Sequence, residues 1–363
     1  MGQTCTMNTC CKKEEIYTLR NSALSLDIQI KKSKHSQQIN KEQEKVEDKK
    51  QKKKSDTVSD LMVSSQHSKV SIKQIEKNLP IQNQDANQNP LIKKSMATNE
   101  RIKLPLIFLP NGSSYEGEWL QGKRDGYGKQ SWPDGSIYEG EWKDDKSCGK
   151  GKLVHADGDV YEGDWVDDAT NGLGTYVHVN GAKYQGEWLN DSQHGRGIET
   201  WPDGARYEGD YQFGKKHGKG KLNFADGSFY QGRPRILYLG EFKNNEIQGV
   251  GNYQWSDGRQ YVGQWSKNKM HGKGEIKWSD GRQYTGEYEN DKKHGKGVFI
   301  WQDGRKYIGI WQGGKQQGVG IYYSTDNVMR IGEWIEGKRV RWYNKEEINE
   351  LERKGVLDEL RNQ

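Results

Sequence analysis

The chain has 363 residues, 31% of them hydrophobic and 30% charged, and its formal net charge at pH 7 is +6. Three of its four cysteines lie close to the N-terminus, which excludes a disulfide framework. The N-terminus has no apolar run of signal-peptide length, and no stretch approaches about 18 consecutive apolar residues. These features predict an intracellular protein without a transmembrane helix.

The opening segment, MGQTCTMNTCCKK, contains candidate sites for lipid attachment. Gly2, followed by Thr6, fits the pattern for N-myristoylation after removal of the initiator methionine. One myristoyl chain binds a membrane only marginally, so stable anchoring needs a second signal. The candidate sites for palmitate are the nearby cysteines Cys5, Cys10 and Cys11. The alternatives are that these residues are incidental or, less favoured, that the cysteines bind a metal, since no further ligand completes a set.

Residues 1–104 are predicted to be a disordered, basic tail. They carry an excess of eight positive charges, and they are poor in aromatic and glycine residues. Such a segment cannot bury enough apolar area to offset its ordering entropy. The lysine run within 31–54 fits acidic lipid headgroups or a merely soluble tail, and the lack of interleaved aromatics argues against nucleic acid. The stretch 70–75 is a weak candidate for a short helical turn that binds a partner.

A 23-residue repeat dominates the rest of the chain. The motif Tyr-Glu-Gly-Glu-Trp first appears at Tyr115 and occurs ten times in all in related form, the last time incompletely at Arg330. Eight extra residues, 231–238, interrupt the period once. With the leading Tyr counted as position zero, position +4 is aromatic in every unit. The predicted core aromatics are Tyr115, Trp119, Tyr138, Trp142, Tyr161, Trp165, Tyr184, Trp188, Tyr207, Tyr261, Trp265, Tyr284, Tyr307, Trp311 and Trp334.

The spacing within each unit predicts a β-hairpin. Positions 0, +2 and +4 share one face of a strand, and positions +11 to +17 supply a second strand in the same way. The polar stretch between them is the turn, and Asp-Gly at +19 and +20 provides positive backbone angles for the turn into the next unit. Glycines at +2, +11 and +13 leave room for the large rings of neighbouring units.

Ten units in this register resemble the MORN (membrane occupation and recognition nexus) repeat. The resemblance implies an all-β fold, an elongated antiparallel solenoid of hairpins, which we assign to residues 105–341. Pro234 within the 231–238 insertion predicts a bulged loop or a bend there. Residues 342–363 are predicted to form a helical cap that begins at Asn344. The alternative for this helix is a homodimer contact or a docking contact with another partner.

No catalytic residues and no metal or cofactor site are predicted. The recurring His194, His217, His271 and His294 would lie about 9–10 Å apart in successive units, too far to share an ion, and are read as turn residues. The acidic pairs at 144–145 and 167–168 are read as solvated turn residues. Cys148 occupies the histidine position of its unit and is read in the same way.

These features predict a non-enzymatic scaffold on the cytosolic face of the plasma or ciliary membrane. Lipidation and the basic tail would hold the membrane, and the solenoid would bind a protein partner, expected to be cytoskeletal. Two alternatives stay open: binding of acidic phospholipid by the repeats themselves, and a structural role in the cilium, because the repeats are similar to those of radial-spoke head proteins.

Overall fold

The computed structural model describes residues 71–77, 89–224 and 237–362. The helices are α1 Ile72–Lys77, α2 Pro90–Met96, α3 Lys345–Arg353 and α4 Val356–Arg361. The strands are β1 Ile102–Phe108, β2 Ser114–Leu120, β3 Lys123–Ser131, β4 Ile137–Lys143, β5 Lys146–Val154, β6 Val160–Val166, β7 Ala169–Val177, β8 Lys183–Leu189, β9 Ser192–Thr200, β10 Arg206–Gln212, β11 Lys215–Asn223, β12 Leu237–Lys243, β13 Glu246–Gln254, β14 Gln260–Ser266, β15 Lys269–Lys277, β16 Gln283–Glu289, β17 Lys292–Ile300, β18 Lys306–Gln312, β19 Lys315–Tyr323, β20 Met329–Ile335 and β21 Lys338–Trp342.

The described strands form one antiparallel sheet in which each strand pairs with its neighbours along the chain. Each repeat contributes one hairpin, so the predicted all-β solenoid of hairpins is confirmed. β1 precedes the first repeat and pairs with β2. Its register shifts between Leu104 and Ile107, at the point where Pro105 cannot donate a ladder hydrogen bond.

The turn of each hairpin forms because its two central residues tolerate the left-handed conformation. In the second repeat these are Asp144 (φ 49°) and Asp145 (φ 68°). A turn with two positive φ angles matches the twist of the flanking strands and favours Asn, Asp or Gly. The polar stretch in each unit is therefore the predicted turn.

The second turn residue also joins its repeat to the preceding one. The Asp145 carboxylate accepts a hydrogen bond from the backbone N–H of Arg124 (2.8 Å), and the backbone N–H of Asp145 donates to the carbonyl of Arg124 (3.0 Å). The same side-chain contact recurs from Asp168 to Ser147 and from Asp191 to Thr170. The second member of each acidic pair is thus a partly exposed turn residue, as predicted, that also accepts a hydrogen bond from the neighbouring repeat.

In the connection between repeats, the aspartate and the glycine of Asp-Gly have different roles. Gly135 adopts φ 95°, as predicted, whereas Asp134 keeps an ordinary φ. The Asp134 carboxylate instead accepts a hydrogen bond from the backbone N–H of Ser136 (2.8 Å). The aspartate is therefore a side-chain acceptor, and only the glycine supplies the positive angle.

The core lies on one face of the sheet, here called the inner face, which carries positions 0, +2 and +4. The ring of Tyr138 is fully buried and meets Trp142 and Trp165 edge to face, with ring centroids 5.0 and 5.1 Å apart. This arrangement repeats along the sheet, so each tyrosine packs against the +4 ring of its own repeat and of the next. Edge-to-face contacts suit the charge distribution of aromatic rings.

Two stretches of the predicted disordered tail are ordered in the structure. α2 begins at Asn89, whose side chain caps the backbone N–H of Leu91, and it buries Ile92 against the first repeat. α1 overlaps the stretch 70–75, the predicted candidate for a short helical turn, and it buries Ile72 and Ile75. Both helices gain their apolar cover from the repeats, which the composition of the tail does not show. Sequence 1–70 and the 231–238 insertion, apart from its last two residues, lie outside the described residues.

The C-terminal segment forms two helices, α3 and α4, that break at Gly355 (φ 73°). Asn344 caps α3 as predicted, in a reciprocal pair of hydrogen bonds with Glu347. Leu357 and Leu360 of α4 are buried with Ile321 and other aliphatic side chains of the last repeats. These two leucines therefore pack within the chain itself. No helix in the described part of the chain is long and apolar enough to cross a membrane.

Candidate interaction surface

The glycines at +2 and +13 are fixed by the tyrosine ring of their own repeat. Gly140 and Gly151 face each other across the hairpin, and an added Cβ on Gly151 would lie 2.2 Å from the Tyr138 hydroxyl oxygen. The hydroxyl itself donates to the carbonyl of Glu141 (3.1 Å). The inner face is thus filled by its own rings. The predicted core aromatics are buried there and have a structural role, so they do not form a binding surface.

Burial of these tyrosines makes a prediction for alkaline pH. Burial raises the pKa of Tyr138, Tyr207 and Tyr284 well above the ordinary value of 10.0. Because the folded state holds the protonated phenol, this contribution to stability is complete below pH 10.0 and is lost as the pH rises towards the folded-state pKa. We expect tyrosinate absorbance to rise together with loss of the sheet signal in circular dichroism. Full ionisation with the sheet intact would contradict this expectation.

A β-bulge in each hairpin was missed by the sequence reading. In the second repeat the register shifts between Gly140 and Glu141, and Gly149 takes a positive φ of 58°. The backbone N–H of Lys150 would lack a partner in the hairpin ladder, and the Glu141 carboxylate accepts it at 3.0 Å. The glycine at +11 is therefore required by its backbone angle and by the overlying carboxylate, and not by a ring as predicted.

The recurrent acid at +3 is a cap for this bulge. Equivalent hydrogen bonds run from Leu173 N–H to Asp164 (2.8 Å) and from Lys219 N–H to Asp210 (2.8 Å). Gln264 replaces the acid and accepts from Lys273 N–H (2.7 Å), so an acceptor oxygen is needed and a charge is not. The signal in the sequence was the pairing of this acceptor with the glycine eight residues later.

Removing one cap should destabilise the fold. We expect Glu141→Ala to lower the free energy of unfolding by about 1–2 kcal/mol, because it leaves the Lys150 N–H without its acceptor. Glu141→Gln should cost much less. The matched control is Glu139→Ala two residues away, an exposed site whose loss should cost less than about 0.5 kcal/mol. Chemical denaturation of the three variants measures these differences, and equal effects of both alanine variants would contradict the assigned role.

The opposite face of the sheet, here called the outer face, carries positions +1, +3, +12 and +14. In the first three repeats its +1 and +14 side chains alternate in charge directly across neighbouring strands. The residues of this row are Glu116, Lys129, Glu139, Lys152 and Glu162. Exposed cross-strand pairs each stabilise a sheet by less than about 1 kcal/mol, so stability alone does not require this pattern.

An open groove of about 750 Å³ lies between this row and the row of +3 and +12 side chains. The floor of the groove is the backbone of glycines that pair across neighbouring strands. One such pair is Gly151 of the second repeat and Gly163 of the third. Tyr127 and Leu173 line it and are 56% and 62% exposed. The groove thus combines alternating charge with two exposed apolar side chains, a composition suited to a polypeptide ligand.

The remaining candidate residues of the sequence analysis are the lipidation sites, the recurrent histidines and Cys148. The lipidation candidates Gly2, Cys5, Cys10 and Cys11 lie outside the described residues. The four +10 histidines lie within strands, beside the bulge, and not in the turn as predicted. Cys148 shares their position, and burial raises the pKa of its thiol. In the described part of the chain no group of three or more His, Cys, Asp or Glu side chains is placed to hold a metal ion.

Comparison with known proteins identifies the repeat. A family model described as MORN repeat matches nine segments that together make up more than half of the chain. The segments are 115–137, 138–160, 161–183, 184–206, 207–229, 238–258, 261–281, 284–304 and 307–329. The tenth unit lies beyond these matches and forms the hairpin of β20 and β21. No curated protein matches the chain.

Solved structures show weak likenesses. The TCP10 domain of CPAP from Danio rerio has a TM-score of 0.31 and 14% identity, over 57% of this chain and 95% of that one. The SAS-4 (dCPAP) TCP domain of Drosophila melanogaster, in complex with a proline-rich motif of Ana2, has 0.28 and 12%, over 46% and 86%. Virginiamycin B lyase from Staphylococcus aureus has 0.14 and 11%, over 65% and 88%. TM-scores this low carry no argument about function.

Proposed function

This chain belongs to the MORN repeat family, and from that premise we propose that it is a non-enzymatic scaffold. Its outer face binds a protein partner, which we expect to be cytoskeletal, and its N-terminal segment attaches to the cytosolic face of a membrane. The observation that carries the proposal is the groove of the outer face with its alternating charges and its exposed Tyr127 and Leu173.

The division of labour within the repeat supports a binding role for this face. The inner positions are taken up by ring packing, and the acceptors at +3 and at the second turn position are taken up by backbone N–H groups. The outer side chains at +1, +12 and +14 face solvent in the first repeats, and they neither pack in the core nor cap a backbone N–H group. Their side chains can therefore be chosen for a partner without loss of the fold.

Substitution within the groove tests the partner. We expect Tyr127→Glu/Leu173→Glu to remove a set of protein neighbours found by proximity labelling in cells, because it places two charges where an apolar contact is needed. The matched control is Val179→Glu, an equally exposed apolar residue in the connection between two repeats. Identical neighbours for all three proteins would exclude the groove as the partner site.

Membrane attachment is tested separately with the full-length chain. We expect Gly2→Ala to abolish labelling by a myristate analogue and to shift the protein from the membrane to the soluble fraction. Cys10→Ser/Cys11→Ser should keep myristate and lose palmitate. If purified, unacylated protein binds acidic liposomes as well as the acylated form does, the acyl chains do not hold the membrane and the tether proposal fails.

A further inference from the structure

The short N-terminal segment 71–77 packs against the edge of the sheet where the hairpin turns of the repeats line up. Ser71 forms an antiparallel backbone bridge with Ala169, the first residue after the turn of the third repeat. Ile72 is 0% exposed and Ile75 is 9% exposed, although they belong to a helix of six residues. Such burial requires cover from the repeats, since a helix this short cannot bury its own side chains.

The repeat sequence changes where this segment docks. Position +8, which follows the turn, is lysine in seven of the ten repeats, whereas the third, fourth and sixth repeats have Ala169, Ser192 and Glu246. Ala169 is buried, while the lysine of the preceding repeat, Lys146, is exposed. A lysine at 169 would place a long charged chain at the backbone position that Ser71 contacts. The small side chain at this position of the third repeat thus makes room for the segment.

The neighbouring position +9 shows the same complementarity. In the sixth and seventh repeats Ile247 and Met270 are buried there, each paired across the hairpin with the aromatic residue at +4. In the second and third repeats the residues are Ser147 and Thr170, which are too short to fill an equal space and yet are 0% exposed. We assign the missing apolar volume to Ile72 and Ile75, the two aliphatic side chains that the docked segment contributes.

Polar contacts fix the direction of the segment. The Asp191 carboxylate, the turn acceptor of the fourth repeat, accepts hydrogen bonds from the Thr170 backbone N–H (2.8 Å) and from the Ser71 side chain. Lys73 lies near the same carboxylate, and Glu76 lies near Arg124 of the first repeat. The N-terminal end of the segment therefore faces the fourth repeat and its C-terminal end faces the first.

We propose that the turn edge of repeats one to four is a peptide-docking site, and that residues 71–77 of this chain occupy it as an exchangeable ligand. The site takes an extended residue followed by one helical turn with aliphatic side chains at i and i+3. A segment of another protein with the same chemistry would compete with residues 71–77. This site lies on the turn edge, apart from the outer-face groove. Its test is therefore independent of the test of the scaffold proposal.

A released full-length chain tests the proposal. Ile72→Asp/Ile75→Asp should free the site, and a fluorescent peptide of residues 68–80 is then titrated by anisotropy. We expect the released chain to bind this peptide at least about tenfold more tightly than the wild-type chain, whose own segment competes at high effective concentration. Adding Ala169→Lys to the released chain should reduce binding again by about tenfold or more. The matched control adds Glu246→Lys, a lysine at the same position of the sixth repeat, and should not change binding.

Proteolysis supplies a second measurement that needs no peptide. Trypsin should cleave after Lys73 and Lys77 at least about tenfold faster in the Ala169→Lys chain than in the wild type and the Glu246→Lys chain, because docking protects the backbone. Thermal denaturation checks that the repeats stay folded, and if Ala169→Lys unfolds, the comparison of released and wild-type chains decides. Equal peptide binding by these two chains, or no binding to either, would overturn the proposal.

Discussion

Gly151→Ala is expected to lower the free energy of unfolding by about 3 kcal/mol or more, although it adds only one methyl group. The new Cβ would lie 2.2 Å from the hydroxyl oxygen and 2.5 Å from Cζ of Tyr138. That ring cannot move aside, because it is fully buried between Trp142 and Trp165. Overpacking of a well-filled core costs about 1–3 kcal/mol, and more where the neighbours cannot relax.

The control for this prediction is Gly204→Ala in a connection between repeats. Gly204 has φ 90° and no atom near the position of its missing Cβ, so alanine there costs only the strain of a positive φ, about 1–2 kcal/mol. Thermal and chemical denaturation of both variants separate the two causes. A smaller loss for Gly151→Ala than for Gly204→Ala would show that the tyrosine ring does not fix the glycine.

Lys216→Met is expected to destabilise the protein by about 3–5 kcal/mol, because it removes one partner of a buried ion pair. Lys216 is 1% exposed, and its Nζ lies 2.7 Å from Oε2 of Glu199 in the preceding repeat. The same carboxylate oxygen accepts the hydroxyl of Tyr211 (2.9 Å). The Nζ also lies 4.9 Å from the centroid of the Trp201 ring. Without the lysine, Glu199 becomes a buried charge with only a phenol for a partner.

A second substitution separates loss of the pair from loss of packing. Lys216→Met/Glu199→Gln should recover most of the stability, since the amide oxygen still accepts from Tyr211 and no charge is left buried. Lys215→Met, at the exposed neighbouring lysine, should change stability by less than about 0.5 kcal/mol. Chemical denaturation measures all three variants. A double variant as unstable as Lys216→Met would assign the cost to packing instead.

Features that depend on local periodicity were predictable from the sequence. The alternation of Tyr115, Gly117 and Trp119 shows which face of a strand is buried, and recurrence of this pattern shows that hairpins stack. Features that arise from tertiary pairing were not. The acid at +3 looks like a surface charge until the bulge exposes an unpaired N–H beside it.

The candidate sites show the same division. The docking of residues 71–77 depends on a backbone bridge between Ser71 in a basic tail and Ala169 about a hundred residues later, and no periodic signal connects the two. The outer-face groove likewise exists because two rows of side chains flank a column of glycines. The residues of each row could be identified in the sequence. Which of them lie opposite each other on neighbouring strands depends on the strand register, which the sequence does not show.

The two ends of the described sheet are closed to further strands. Pro105 and the register shift beside it interrupt β1, and β21 presents Lys338, Arg339 and Arg341 at the other end. A proline and a row of like charges both discourage edge-to-edge pairing between molecules. A sheet built from identical hairpins would otherwise grow by adding copies, as a fibril does. The length of the sheet is therefore set by the number of repeats in one molecule and not by polymerisation. We expect a sedimentation coefficient that does not rise with protein concentration.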